Sequence, residues 1–103
     1  MKPLNKSIKC KNGTIINVQC SKDNHCTPKD DIGPYSALEV WFITKNNNPI
    51  SPLNLQPYRD TNFPRSPYSY VPIQLIKQFI EDNGGYEDSD KLSDIGGYSG
   101  NSI

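Results

Sequence analysis

Three cysteines and the single histidine are the residues whose types most readily suggest chemistry: Cys10, Cys20, His25 and Cys26. Together they match the donor set of a Cys₃His zinc site, in which thiolates bind the metal at about 2.3 Å. Their spacing argues against such a site, because no Cys-x₂-Cys knuckle is present. We therefore predict no bound metal and no cofactor, and interpret the cysteines as small buried hydrophobic residues.

Nucleophilic or acid–base catalysis finds little support in the same region. Cys26 follows His25 directly, and adjacent side chains seldom point at one another as a nucleophile and its base must. Asp30 and Asp31 precede Gly33-Pro34, a context in which acidic residues usually form turns. No glycine-rich phosphate loop precedes a helix. The sequence therefore predicts no catalytic residues and favours a non-enzymatic protein.

Aromatic residues and one arginine form the stronger candidate site: Trp41, Tyr58, Arg59, Tyr68 and Tyr70. Large amphipathic rings and arginine are enriched at the energetic centres of protein interfaces, so we predict that these residues bind another protein. Two readings remain open beside it. Aromatic rings with flanking lysines also stack on single-stranded nucleic acid, and the same rings could instead seal the second face of a sheet.

The elements that position these residues begin with a predicted β-hairpin over residues 4–20. A three-residue loop, Lys11–Gly13, with Gly13 in the left-handed region, places Cys10 opposite Thr14 and Ile8 opposite Ile16. This register separates apolar from polar side chains better than a two-residue Asn-Gly turn does. It also places Cys10 and Cys20 roughly 20 Å apart, at about 3.3 Å per residue, so the two can share neither a metal nor a disulfide.

A third strand is predicted at residues 36–44, after the two strands of the hairpin, and alternation assigns its residues to two faces. The inner face would hold Leu38, Val40 and Phe42, and the outer face would hold Ala37, Glu39, Trp41 and Ile43. Because both faces carry apolar groups, the pattern predicts a central strand or one whose second face is covered. Residues 45–71 then contain five prolines, which predicts a long ordered loop without a long strand or helix.

One helix is predicted over residues 72–83. Pro72 suits its first position, where the missing N–H has no partner, and Gly84 suits a left-handed C-terminal cap. Its apolar stripe consists of Pro72, Leu75, Ile76, Phe79 and Ile80, with Ile73 beside it.

The predicted fold is α+β: a small antiparallel sheet, made by the N-terminal hairpin and a central strand, covered by one C-terminal helix, with a long Pro-rich loop. The loop could add one short strand. The helix would cover Ile8, Ile16, Val18, Leu38, Val40 and Phe42. We assign residues 1–84 to a single domain and residues 85–103, rich in Gly, Ser and acidic groups, to a flexible tail.

Charge is distributed unevenly although the net charge is zero. Residues 1–29 carry six lysines and one aspartate, whereas residues 81–103 carry six acidic side chains and one lysine. The lysines support an alternative function, a nucleic-acid-binding module using the N-terminal hairpin through Lys2, Lys6, Lys9, Lys11 and Lys22.

The expected function is a small protein-binding or regulatory module in the cytoplasm. No apolar run approaches the ~18 residues of a membrane span, and the first residues lack the apolar core of a signal peptide. The content of Asn, Ile and Lys suits an AT-rich genome such as that of some phages or mobile elements. Under that origin, inhibition of a host protein is the working hypothesis.

Overall fold

The computed structural model describes residues 4–59 and 66–87, which form an antiparallel sheet and one α-helix. The strands are β1 (Leu4–Lys9), β2 (Thr14–Cys20), β3 (Ala37–Lys45), β4 (Asn48–Pro49) and β5 (Tyr68–Pro72), and the helix is α1 (Ile73–Asp82). β1, β2 and β3 are neighbours in that order, and both β4 and β5 pair with β3. The α+β class with a C-terminal helix is therefore confirmed.

The hairpin of β1 and β2 has the predicted register. Leu4 pairs with Cys20 and Ile8 with Ile16, while the Cys10 N–H donates to the Thr14 carbonyl at 2.8 Å. Gly13 has φ +91°, the left-handed conformation that the three-residue loop requires. The apolar face of the hairpin is thereby directed toward the helix.

β3 departs from the predicted alternation at its centre. Val18 pairs with Val40, but the neighbouring Asn17 pairs with Phe42, so Trp41 is an extra residue on β3 without a partner in the β2 register. This bulge reverses the alternation beyond it. Phe42, assigned to the inner face, is 44% exposed, and Ile43, assigned to the outer face, is 2% exposed. The prediction for both side chains was wrong, because spacing alone does not reveal a bulge.

The proline-rich stretch contains more regular structure than the sequence indicated. A 3₁₀ helix spans Leu53–Tyr58, with Pro57 inside it, and β5 begins at Tyr68. Leu55 is fully buried while Leu53 is 88% exposed, so the 3₁₀ helix contributes one side chain to the core. Short elements tolerate these prolines because few of their backbone N–H groups need a partner.

The helix extends over nearly the predicted range and covers the sheet as expected. Its buried residues are Ile73, Ile76, Phe79 and Ile80, and they share one core with the inward side chains of β1, β2, β3 and β5. Pro72, predicted at the first helical position and in the apolar stripe, is instead the last residue of β5 and is exposed. Gly84 has φ +95° and follows the helix end as predicted.

The end of the helix is joined to the hairpin turn. The Asn83 side-chain oxygen accepts hydrogen bonds from the Asn12 amide at 2.8 Å and the Thr14 hydroxyl at 3.0 Å. Beyond it, the Lys11 N–H donates to Gly85 at 3.0 Å, and the Glu87 N–H donates to Lys9 at 2.9 Å. Residues 85–87 therefore lie along the sheet, and the remainder of the predicted tail is outside the described residues.

Candidate functional site: an aromatic groove beside β3

A groove of about 220 Å³ lies beside β3, between the points where β4 and β5 pair with that strand. Its lining comes from β3, from the segment after it and from the region around β5: Trp41, Phe42, Ile43, Thr44, Pro49, Ile50, Ser51, Arg59, Ser66 and Tyr68. Three of the five predicted site residues, Trp41, Arg59 and Tyr68, therefore share one cavity wall.

The bulge in β3 exposes two large rings next to each other. Trp41 is 50% exposed and Phe42 is 44% exposed, although consecutive residues of a regular strand point to opposite faces. Phe42 was not among the predicted site residues, since alternation assigned it to the core. The bulge thus brings a second half-exposed ring to the groove beside Trp41.

Arg59 and Tyr68 form a tightly connected part of the wall. The guanidinium carbon lies 4.4 Å from the centre of the Tyr68 ring, and the same guanidinium donates to the Tyr68 hydroxyl and, at 3.2 Å, to the Ser51 hydroxyl. Tyr68 is 2% exposed. Tyr58 is partly buried against the core. These contacts fix the shape of the groove wall, whereas Trp41 and Phe42 leave ring surface exposed.

Tyr70 lies outside the groove lining and is held by the loop between β2 and β3. Its ring stacks on the His25 ring, with centroids 5.6 Å apart and planes 7° from parallel. Its N–H donates to the His25 carbonyl at 3.0 Å. Tyr70 has φ +54° and a ring that is 46% exposed. A bulky residue rarely adopts this conformation, so its surroundings must hold it there.

Glu39 connects that loop to Trp41. One of its carboxylate oxygens accepts a hydrogen bond from the Asn24 amide at 2.6 Å and another from the Trp41 indole at 2.9 Å. The other oxygen lies 3.8 Å from the His25 ring nitrogen. The Glu39 side chain is largely buried, with an exposed fraction of 9%. Trp41 is therefore oriented through a buried carboxylate that the 21–35 loop also binds.

The cysteines require a correction. Cys20 and Cys26, interpreted as separate small hydrophobic residues, form a disulfide, and their Cα atoms are 5.5 Å apart. Cys10 is a free buried thiol, and burial raises its pKa. The hairpin register excludes only a Cys10–Cys20 pair, because Cys26 lies in the loop after β2, whose path the register does not determine. Such a bond is unusual for the predicted cytoplasmic location, where thiols are kept reduced.

The His25 cluster is not arranged as a catalytic triad. Nδ1 of His25 faces both the Ser69 hydroxyl, at 2.9 Å, and the Glu39 carboxylate, at 3.8 Å. A triad needs the hydroxyl and the carboxylate on opposite ring nitrogens. Within residues 4–59 and 66–87, no group of three or more His, Cys, Asp or Glu side chains could hold a metal ion.

Asp30 and Asp31, in residues 21–35 between β2 and β3, bind backbone N–H groups of their own loop, and Asp30 forms a turn as interpreted. The Asp30 carboxylate accepts hydrogen bonds from the Ile32 and Gly33 N–H groups, each at 2.9 Å. The bonds from Gly33 and Ile32 lower the pKa of Asp30. Asp31 accepts one from the Lys22 N–H at 2.9 Å. Both carboxylates thus serve the local backbone.

The lysines of the alternative site are spread over the hairpin and its flanking loop. Lys9, Lys11 and Lys22 are exposed, and Lys6 is partly buried. Lys2 is outside the described residues. Lys9 lies next to Glu87, whose N–H binds its carbonyl, so an acidic residue accompanies this end of the basic surface.

Comparisons with known proteins add no relative to this picture. No family model matches the chain, and no curated protein or solved structure matches it. Of the described residues, no helix is long and apolar enough to cross a membrane.

Proposed function

We propose that the protein is a small non-enzymatic binding module that holds an apolar side chain of a partner protein in the groove beside β3. The observation that carries this proposal is the pair of half-exposed rings, Trp41 and Phe42, at the edge of a groove of about 220 Å³. Anchors that fill such pockets supply most of the binding energy in many protein interfaces.

The size of the groove favours one anchor side chain over a small-molecule ligand. Pockets for drug-sized ligands and cofactors typically measure about 300–1,000 Å³, and this groove is smaller at about 220 Å³. Its apolar groups come from Trp41, Phe42 and Ile50, with hydroxyls from Ser51 and Ser66 at the wall. An apolar side chain on a peptide backbone suits this mixture, since the hydroxyls can bind the backbone.

In its narrower form, the proposal is that the partner is a host protein inhibited by a phage or mobile-element product. The amino-acid composition supports this form. The predicted cytoplasmic location belongs with it.

A pair of variants tests the binding role. Phe42→Ala removes a half-exposed ring from the groove, so its effect on the free energy of unfolding should be small. Affinity for the partner captured by the wild-type chain should fall by about 30-fold, which corresponds to ~2 kcal/mol. The measurement is a calorimetric or surface-based titration with that purified partner.

Ile32→Ala is the matched control, because Ile32 is an apolar residue of similar type, 62% exposed and outside the groove. Its affinity should equal that of the wild type. Equal affinity for Phe42→Ala as well would show that the groove is not the binding site.

The nucleic-acid alternative rests on the exposed hairpin residues Lys9 and Lys11. Phosphate contacts release counterions, so this mode predicts an affinity that falls steeply as salt rises. An aromatic groove predicts little change. Titration of single-stranded DNA at two salt concentrations separates the two functions, and Lys9→Gln should weaken only the nucleic-acid mode.

A further inference from the structure

The loop closed by Cys20 and Cys26 contacts Tyr70 directly and Trp41 through Glu39. We call the exposed rings of Trp41 and Tyr70 the aromatic surface. Two residues of the loop, Asn24 and His25, contact Glu39 and Tyr70 respectively. The disulfide joins the two ends of this short loop across a sequence separation of 6 residues. The conformation of the aromatic surface therefore depends on a segment that one covalent bond closes.

The first contact path runs from Asn24 to Trp41. Asn24 is fixed within the loop, since its N–H donates to the Ser21 carbonyl at 3.2 Å and its side-chain oxygen accepts from the Ser21 hydroxyl at 2.6 Å. Its amide then binds the same Glu39 oxygen that accepts the Trp41 indole N–H. Without Asn24, the buried Glu39 carboxylate would lose one of its donors and would no longer be fixed in the orientation that receives the Trp41 indole N–H.

The second path runs from His25 to Tyr70. The His25 carbonyl accepts the Tyr70 N–H at 3.0 Å, and the rings stack. Tyr70 has φ +54°, a conformation that costs of order 1–3 kcal/mol and persists only where neighbours enforce it. Release of His25 would allow Tyr70 to return to an ordinary strand conformation.

We propose that the Cys20–Cys26 disulfide is a redox control of the binding surface: the oxidised chain presents Trp41 and Tyr70 in the described arrangement, and reduction releases both. This inference rests on the proposed function only for its consequence, partner binding. In the reductive step a dithiol donates two electrons and two protons. The Cys20–Cys26 bond breaks to two thiols, and the dithiol closes to a cyclic disulfide.

The sequence and the structure together make such a control meaningful. The expected cytoplasmic location is reducing, whereas the disulfide is the form favoured in oxidising compartments. In a reducing cytoplasm the control would keep partner binding weak, and binding would strengthen when that compartment becomes oxidising.

Trp41 is the only tryptophan, so its fluorescence tests the proposal without any partner. The experiment uses the full chain carrying Cys10→Ala, which prevents exchange with the free thiol, in oxidised form and after treatment with dithiothreitol. Acrylamide quenching of Trp41 should rise by up to about twofold on reduction, since Trp41 is 50% exposed and loses the contact that orients its indole when the loop opens. Far-UV circular dichroism should keep the strand signal.

Asn24→Ala reproduces the release at Trp41 with the disulfide intact, and its quenching should approach that of the reduced chain. Asn24→Asp is not a useful conservative variant, because its new carboxylate would face the Glu39 carboxylate. Lys22→Ala, in the same loop, is the matched control and should leave the quenching of Trp41 unchanged. Unchanged quenching on reduction, or complete loss of the folded state, overturns the proposal, the latter because the bond would then be a stabilising crosslink alone.

If quenching rises as expected and affinity for a captured partner stays the same, the surface opens but does not bind there, and the proposed function fails instead. If affinity falls by about tenfold or more together with the change in quenching, both hold.

Discussion

The outer face of the sheet has two halves that treat their exposed side chains differently. On β1 and β2, polar side chains bind one another: the Asn17 amide donates to Ser7 at 3.1 Å and to Asn5 at 3.4 Å, and the Gln19 amide donates to Asn17 at 3.1 Å. On β3 and β5, the rings of Trp41, Phe42 and Tyr70 stand exposed instead, and the Trp41 indole is hydrogen-bonded to Glu39. The polar side chains on β1 and β2 thus bind each other, whereas β3 and β5 expose apolar ring surface to solvent.

The backbone explains the difference. β1 and β2 keep strict alternation, so every outward residue finds a cross-strand neighbour on its own face. β3 is bulged against β2 and is irregular against β5 as well. Bulges re-aim side chains and are frequent next to functional sites. Rings are thus left uncovered where the pairing of β3 with its neighbours becomes irregular.

The largest expected effect concerns the core, to which the 3₁₀ helix contributes Leu55. Leu55→Ala truncates a fully buried side chain of the 3₁₀ helix and should lower the free energy of unfolding by about 2–5 kcal/mol. Leu53→Ala, in the same helix, changes a side chain that is 88% exposed and should stay within about 0.5 kcal/mol. Urea denaturation measures both. Equal effects would mean that the 3₁₀ helix does not belong to the core.

A smaller effect tests the polar half. Asn17 is 6% exposed, so Asn17→Ala removes a buried group with several partners and should lower the free energy of unfolding by about 1–3 kcal/mol. Asn5→Ala removes an exposed acceptor of the same network and should have less effect. Thermal unfolding followed by circular dichroism gives the order, and a larger loss for Asn5 would contradict the view that this face is closed by Asn17.

Two glycines compare backbone strain with and without crowding. Gly13→Ala forces a side chain at φ +91°, with its Cβ 2.5 Å from the Asn46 side-chain oxygen, whereas Gly85→Ala at φ +81° meets nothing within 4 Å. The left-handed conformation alone costs roughly 1–2 kcal/mol. Gly85→Ala should show about that loss in chemical denaturation, and Gly13→Ala more. Equal losses would show that the Asn46 side chain moves aside freely.

The smallest effect is a pH dependence in the loop that holds the aromatic half. Hydrogen bonds from Gly33 and Ile32 lower the pKa of Asp30. Because the folded-state pKa lies below the unfolded one, the contribution of Asp30 is present above its ordinary pKa and is lost as pH falls through the folded value. Asp30→Asn keeps an oxygen that accepts both bonds but does not titrate. Denaturation midpoints across the acid range should therefore fall less steeply for this variant.

Local patterns predicted the parts of the fold that alternation and turn chemistry determine. The hairpin register was predicted from a left-handed Gly13 and from the separation of faces that pairs Ile8 with Ile16. The conformation of Gly13 and the Ile8–Ile16 pair are both confirmed. The helix followed from the spacing of Ile76, Phe79 and Ile80 and from Gly84. These features depend on residues close in sequence, so sequence alone contains their cause.

The candidate site depended on features that are not local. Trp41 was recognised, but Phe42 was assigned to the core because the bulge arises from pairing with β2. Tyr68 was predicted to bind a partner, yet its place on β5 buries it beneath Arg59. The disulfide depends on how the chain after β2 turns back to bring Cys26 to Cys20. The contact of Glu39 with Trp41 could not be predicted, because in the sequence Glu39 is only one acidic residue in an apolar strand. Only the tertiary arrangement supplies these relations.

The position of residues 85–87 along β1 has a consequence for behaviour at high concentration. The backbone N–H of Cys10 points to β2, so the backbone N–H and C=O groups of the odd-numbered residues of β1 point away from β2, to the outer edge of the sheet. Gly85 and Glu87 already pair with this edge at Lys11 and Lys9. Among the described residues, the backbone of Asn5 and Ser7 remains unpaired at this edge, next to the side chains of Lys6 and Lys9. Unpaired strand edges are where copies of a protein stack into aggregates, and lysines discourage that pairing. We therefore expect this edge to resist pairing between copies at high concentration, despite the exposed rings of Trp41 and Phe42 on β3.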